Sequence, residues 1–406
     1  MKQGWKIVTL GDVCKTTQGI QISKSNQENK LLHNYKRYLY ISDFKNEKNL
    51  KYVENIYPEK IVTEKDLIVV NTGASAGDIF RGIDGILSNN LFKVSFDDKI
   101  IDPDFIFYFV NSDIFKNHQS FIMRGTANPH MGHENFKSTP FKYPNINEQK
   151  SIVAILDEVF AFIAKAKANA EQNLNNAKEL FESYLQSVFE NKGEDWEEKT
   201  IQEITKVVNG YAFSSKDFRS TNTIKSIKIT NVGVKEFVEE TDNFLPEKYK
   251  TTLKEYQVKE GNIVIALTRT IIAAGLKVAV VPKSYDGALI NQRVAALVPN
   301  EKLVNQRYLY NYLTTAGVTK YVLSNVNTLM QPNLSINDLK NMLVPCPPLE
   351  EQQAIVRNLN ALSAETNKLE TIYQQKINDL EELKKSVLQK AFRGELKTEK
   401  SVFASN

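Results

Sequence analysis

Two stretches of this chain keep their apolar residues on one narrow stripe. In the first, Ile152, Leu156, Val159, Ile163, Ala166, Ala170, Ala177, Tyr184 and Val188 advance mostly in steps of three, four and seven. In the second, Ile355, Leu359, Leu362, Leu369, Ile377, Leu380, Leu383 and Val387 do much the same. No Pro or Gly interrupts either stretch before Gly193 and Gly394. This spacing predicts two long helices with a coiled-coil seam. From Ile152 to Phe189 such a helix would run roughly 55 Å at 1.5 Å per residue. A stripe of that length needs a cover, and each stretch supplies one for the other. An antiparallel pair, related by a pseudo-twofold axis, would hold the remaining blocks at opposite ends. Two independent helical linkers are the simpler alternative.

The blocks before each helix have another texture. Leu67-Ile68-Val69-Val70 and Ile263-Val264-Ile265 read as strands, rich in β-branched residues. Gly, Asn and Ser follow, as in Asn71-Thr72-Gly73-Ala74-Ser75-Ala76-Gly77. An aromatic helix is predicted in each block, over Phe105–Val110 and Tyr308–Leu313. The expected fold class is therefore α+β: two such domains alternating with two long antiparallel coiled-coil helices. The expected boundaries are a first domain over 1–145, a central helix over 146–192, a second domain over 193–346, a C-terminal helix over 347–396 and a tail over 397–406.

The alternation is an internal repeat. PNINEQKSIVAIL from Pro144 matches PPLEEQQAIVRNL from Pro347 at an offset of 203, with Glu148-Gln149 on Glu351-Gln352. The same offset carries Leu180, Ser183, Leu185, Gln186 and Phe189 onto Leu383, Ser386, Leu388, Gln389 and Phe392. Nearer the start of each half, WKIVTLGDVC from Trp5 matches WEEKTIQEIT from Trp196, and Gln18-Gly19 resembles Asn209-Gly210, at an offset of 191. The second copy thus carries about 12 more residues, all inside its globular block. Two like halves offer two like surfaces, so the chain is expected to do one thing at two places.

Composition narrows the class. At 406 residues, 42% hydrophobic and 25% charged, the chain has the make-up of an ordinary soluble protein with room for several cores. No apolar run reaches membrane-spanning length, and the residues from Met1 to Trp5 lack the apolar stretch of a signal peptide, so no membrane partner is expected. The two cysteines, Cys14 and Cys346, do not occupy matching positions, which argues against a structural disulfide and for a reducing cytoplasm. Net charge is +4, and residues 1–145 and 193–345 each hold 19 Lys+Arg against 16 Asp+Glu. Mild basicity of both blocks is compatible with a polyanionic partner without demanding one.

With its P-x-x-x-EQ start to each helix and its SVLQKAFRGEL close from Ser386 to Leu396, the chain resembles the specificity subunits of type I restriction–modification systems over almost its whole length. The first copy departs from the closing pattern, reading SYLQSVFENKG with Glu190 where the second has Arg393. The resemblance implies two target recognition domains, each reading one half of a bipartite asymmetric sequence in double-stranded DNA. It implies that the helices set the spacing and dock two modification (methyltransferase) subunits, and through them restriction/translocase subunits. Glu148, Gln149, Glu351, Gln352, Gln389, Phe392 and Arg393 are then candidates for partner binding. No cofactor is expected on this chain; S-adenosylmethionine would sit in the modification subunit, ATP and Mg in the restriction subunit.

The residues agree that catalysis lies elsewhere. No glycine-rich cofactor loop with an Asn/Asp-Pro-Pro-aromatic motif is present; Asn128-Pro129-His130 does not replace it. G-x-x-x-x-G-K-[ST] is missing too, and Pro103-Asp104 has no E-x-K at nuclease spacing. His118, His130 and His133 have no matching trio in the second copy, so a surface loop is a better account than a metal site. What remains is recognition chemistry: Arg for guanine, Asn and Gln for adenine, small hydroxyls and Lys for phosphate. The first block offers Asn71, Thr72, Ser75, Arg81, Asn89, Asn90, Arg124, Thr126, Asn128 and His130. The second offers Thr268, Arg269, Thr270, Asn291, Gln292, Arg293, Asn325, Asn327, Thr328, Gln331 and Asn333. Any one of them could instead make turns and helix caps. Rival readings are the specificity subunit of a type IIG-like or phage-exclusion methylation system, and a coiled-coil scaffold whose blocks bind protein.

Overall fold

The computed structural model describes residues 4–46, 48–122, 130–240, 244–325 and 333–396. It divides into two compact units, Met1–Glu171 with Gln374–Asn406, and Gln172–Tyr373. The first unit thus takes the start of one long helix, Ile146–Glu190, and the end of the other, Leu349–Arg393. The second unit takes the converse ends.

In the first unit, strand Lys6–Thr9 pairs antiparallel with Pro140–Tyr143, immediately before the long helix. An antiparallel sheet runs in the order Cys14–Gln18, Leu91–Phe96, Leu67–Val70, Ile79–Arg81. All of Leu67-Ile68-Val69-Val70 is buried, because this strand is covered on both faces. A second sheet orders Lys51–Glu54, Tyr35–Leu39, Gly85–Leu87 and Ile61–Val62. Helices Pro103–Asn111, Asp113–Ile122 and His133–Lys137 close the unit. The second unit repeats this plan. Glu197–Thr200 pairs with Leu343–Cys346, the main sheet runs Thr205–Asn209, Val294–Pro299, Ile263–Ala266, Val278–Val280, and helices Gln306–Leu313, Ala316–Asn325 and Ile336–Asn341 follow.

The sheets locate the extra residues of the second copy. Equivalent backbone bridges join Ile20 to Ser88 and Tyr211 to Asn291, and others join Thr72 to His130 and Thr268 to Asn333. The offset is 191 at Ile20 and Tyr211, 196 at Thr72 and Thr268, and 203 at Ser88 and Asn291. Five residues are therefore gained before the central strand and seven after it. Three of the seven fall at a β-hairpin, Ile271–Ile272 with Gly275–Leu276, whose place in the first unit is a polar turn, and the other four follow the next strand, since Ile79–Arg81 and Val278–Val280 are still only 199 apart.

Both long helices have 45 residues, about 67 Å at 1.5 Å per residue. Within the first unit they run antiparallel, with Lys167 Nζ on Glu381 at 2.6 Å and Lys384 over the Phe160 ring. The seam differs from the sequence expectation in one respect. Leu156, Ile163, Ala170 and Ala177 are buried at heptad steps, but Tyr184 is exposed and Leu185 is buried in its stead. The second helix does the same, with Leu359 and Thr366 buried, Leu369 and Leu383 exposed, and Leu388 buried. At 3.6 residues per turn a heptad falls about 20° short of full turns, so after four heptads the next position has swung into the stripe.

Three anchors tie each block to its helices, at equivalent positions. The Trp5 indole N–H donates to Glu148 at 3.4 Å, and that of Trp196 to Glu351 at 2.9 Å. Gln149 Oε1 accepts from Asp102 N at 2.9 Å while its Nε2 donates to the carbonyls of Ile100 and Pro144, both at 2.9 Å. Gln352 repeats this with Asn305 N at 2.7 Å, Leu303 O at 3.1 Å and Pro347 O at 2.8 Å. Phe392 packs on Phe105 and Phe109, with ring centroids 5.1 and 5.4 Å away, and Phe189 packs on Tyr308 and Tyr312 at 5.3 and 5.2 Å.

Cys14 and Cys346 are free, and burial pushes both thiols up to about 11. A thiolate population that small should make both react with iodoacetamide at pH 8 roughly 100-fold more slowly than an exposed thiol. Mass spectrometry of the native chain would check this; rapid alkylation of either would contradict it.

Candidate nucleic-acid interface

In the first unit, three separated loops are drawn together by one glutamine. Gln18 ends its strand and donates through Nε2 to the carbonyls of Asn89 (2.5 Å) and Leu91 (3.1 Å). Its Oε1 accepts from His133 Nε2 at 2.8 Å and from Asn71 Nδ2 at 3.4 Å. His133 stacks on Phe92, and burial, then the Lys137 charge, lower its pKa and favour the neutral ring. Backbone bonds complete the junction: Asn71 N to Asn90 O at 3.1 Å, and Met131 N to Asn71 O at 2.9 Å. Thr72, Asn89, Asn90 and His130 are exposed there, with Asn71 and Ser75 half-buried. Lys45 holds the Ser75 hydroxyl at 2.8 Å and pairs with Asp78.

The second unit assembles an equivalent junction by other bonds. Leu267 N donates to Arg293 O at 2.9 Å, Gln292 N to Tyr211 O at 3.0 Å, and Arg269 N to Asn333 Oδ1 at 3.4 Å. Arg269, Gln292, Arg293 and Asn333 are exposed, and Asn291 and Thr268 are half-buried. Arg269 adopts a left-handed conformation, φ 48°, which costs a side-chain-bearing residue energy and bends the chain into the turn. In both units a glycine permits the close approach. A Cβ on Gly19 would lie 2.0 Å from Ser88 O, and one on Gly210 would lie 1.9 Å from Asn291 O. Asn71 Oδ1 and Thr268 Oγ1, at equivalent corners, are buried without a protein partner among the described residues.

Several candidates from the sequence stand elsewhere. Arg81 is ion-paired with Asp104 and lies 4.3 Å over the Phe107 ring, so it fastens a strand to a helix start. Thr270 is fully buried and accepts from Leu334 N at 3.3 Å. Asn325 is exposed at the end of its helix, donating to Tyr321 O at 2.9 Å. Arg124, Thr126, Asn128, Asn327, Thr328 and Gln331 lie outside the described residues. Among the partner-binding candidates, Gln149 and Gln352 are fully buried with their amides engaged, and Phe392 is core, so these three bind the blocks to their own helices. Glu148 and Glu351 hold the tryptophans, while Gln389 is half-buried and Arg393 exposed. The sequence reading overlooked Gln18 and His133 as site residues. The match of Gln18-Gly19 to Asn209-Gly210 marked the place, but not the bond pattern.

Two blocks of one plan, each gathering amide, hydroxyl and guanidinium groups at loop junctions, and mounted on long helices, define a protein built for recognition. The chain belongs to the family of the type I restriction modification DNA specificity domain, whose model matches residues 2–176 and 193–382. Among its relatives is the type I restriction enzyme MjaVIII specificity subunit of Methanocaldococcus jannaschii, 28% identical over 97% of this chain and 93% of that one. The EcoBI specificity subunit of Escherichia coli is 23% identical over 84% and 74%. In fold, it is similar to the HsdS subunit from Thermoanaerobacter tengcongensis, with TM-score 0.64, 22% identity and 98% of each chain covered. A chain from a study of assembly and conformational transition in the type I R-M system gives TM-score 0.76, 21% identity and coverage of 98% and 99%. This chain is thus a specificity subunit, a non-catalytic component whose family binds DNA and partner subunits and carries no cofactor of its own.

Proposed function

We propose that residues 1–145 and 193–346 are target recognition domains, each reading one short word of an asymmetric bipartite sequence in double-stranded DNA. The observation that carries this is the convergence, in each unit, of loops from distant chain segments bearing Asn, Gln, Arg and small hydroxyls, the groups that read base edges. The first word would meet Asn71, Thr72, Asn89, Asn90 and His130, and the second Thr268, Arg269, Gln292, Arg293 and Asn333. Because the two junctions differ in sequence, the two words differ. Two modification subunits, bringing S-adenosylmethionine, would dock on the helices 146–192 and 347–396, and restriction subunits with ATP and Mg would join through them. Leu180 and Leu383 support two equivalent docking places, since they occupy matching positions and are 50% and 47% exposed. A target adenine would be flipped into the modification subunit's pocket.

The test is co-expression with the modification subunit, followed by mapping of methylated adenines across a host genome. A bipartite asymmetric motif that disappears when this chain is deleted is the expected result; methylation without such a motif would sink the reading. The helices also make a separable prediction. A heptad inserted at equivalent points of both adds about 10 Å, so the unread spacer should lengthen by one to three base pairs while both words persist. Altered words with an unchanged spacer would contradict the role of the helices.

A further inference from the structure

The hairpin that distinguishes the second unit has an unusual surface for its place. Its tip, Ile272-Ala273-Ala274, is exposed and apolar, with Ile272 at 47%, yet it rises beside Arg269, Gln292, Arg293 and Asn333. It is firmly based. Lys277 N donates to Thr270 O at 2.8 Å, Leu334 N donates to the buried Thr270 hydroxyl, and Lys277 Nζ donates to Ile229 O at 2.7 Å. Gly275, at φ 129°, turns the ribbon where a Cβ would already touch Val234. In the first unit the same position is the polar Thr72–Ser75 turn.

Resting on the recognition role proposed above, we propose that this hairpin enters the major groove of the second word and packs its Ile272 tip on the methyl group of a thymine. The side chains of this tip can neither donate nor accept a hydrogen bond, and the C5-methyl of thymine is the apolar feature of major-groove edges. A two-stranded ribbon fits the major groove, about 12 Å wide, and not the minor groove of about 6 Å. The polar neighbours would engage the flanking base edges and phosphates.

The experiment uses the complex with its modification subunits and duplexes carrying the mapped sequence, with each thymine of the second word replaced singly by deoxyuridine. One replacement should weaken binding about fourfold, the value of one buried methyl. Ile272→Ser should lower native affinity by a similar factor and abolish that deoxyuridine effect. Ile272→Val, which keeps methyl groups at the tip, should retain it, and the unaltered response to changes in the first word would show that both variants fold. A second word without thymine, or a deoxyuridine effect unchanged in Ile272→Ser, overturns the inference. So does an Ile272-dependent bend in the duplex without any deoxyuridine effect, which would indicate a wedge between base steps. Failure of the native complex to select any bipartite duplex would instead overturn the recognition role itself.

Discussion

Replacing Gln352 by alanine is expected to destabilise the second unit by about 2–4 kcal/mol, and Gln149→Ala should do the same to the first. Each side chain is fully buried and makes three hydrogen bonds to backbone groups, of which the one to the proline carbonyl is itself buried. Truncation leaves Asn305 N–H and the carbonyls of Leu303 and Pro347 unsatisfied, at roughly 1–3 kcal/mol for each group that stays dry. The damage propagates, because Asn305 caps the helix Gln306–Leu313 through its Oδ1, held to Arg307 N at 2.9 Å and Tyr308 N at 3.1 Å. Thermal unfolding should shift by about 5–10 °C for a unit of this size. Gln352→Glu should be no milder, since it places an acceptor against two carbonyls. A variant with unchanged unfolding but weakened binding of the modification subunit would return these glutamines to the partner surface and refute the frame role.

That reassignment shows what the sequence could and could not disclose. The P-x-x-x-EQ start and the closing Leu-Gln-x-x-Phe were legible as a repeat because both copies solve one packing problem with the same residues at those positions. The fold class followed, since heptad stripes and buried strand runs depend on local periodicity. Why those residues recur was not legible. Gln149 reaches back to Ile100 and Asp102, and Phe392 packs on Phe105, contacts across 47 to 287 residues that no local pattern encodes. The candidate interface was half legible for the same reason. Asn71, Asn89 and Asn90 were found through loop composition, whereas Arg81 had the right chemistry but an ion pair with Asp104 to occupy it. The sequence showed only that the second block is about 12 residues longer; neither the hairpin that takes up three of them nor its apolar tip near the exposed arginines was legible.

Gln18→Ala is expected to reduce discrimination in the first word by about 10–100-fold and to leave the second word untouched. Gln18 does not need to touch DNA for this. Its four hydrogen bonds fix the 89–91 loop, Asn71 and His133 to one another, and base readout requires those groups within a few tenths of an ångström. Without it, Asn71 Nδ2 and the Asn89 carbonyl are free to seek water, and the exposed Thr72, Asn89 and Asn90 lose their common geometry. Gln18→Glu should be no milder than Gln18→Ala, because it retains the acceptor for His133 and Asn71 but sets a carboxylate oxygen against the Asn89 and Leu91 carbonyls. Asn209→Ala, at the matching position of the second unit, should have little effect, since Asn209 is exposed and the second junction is tied through Arg269, Asn333 and Thr270. Methylation mapping with each variant, paired with binding to duplexes altered in one word at a time, separates the outcomes. Broadened methylation confined to the first word supports the positioning role. Equal losses on both words would mean that Gln18 merely stabilises the fold, and an unchanged motif would place the reading surface of the first unit elsewhere.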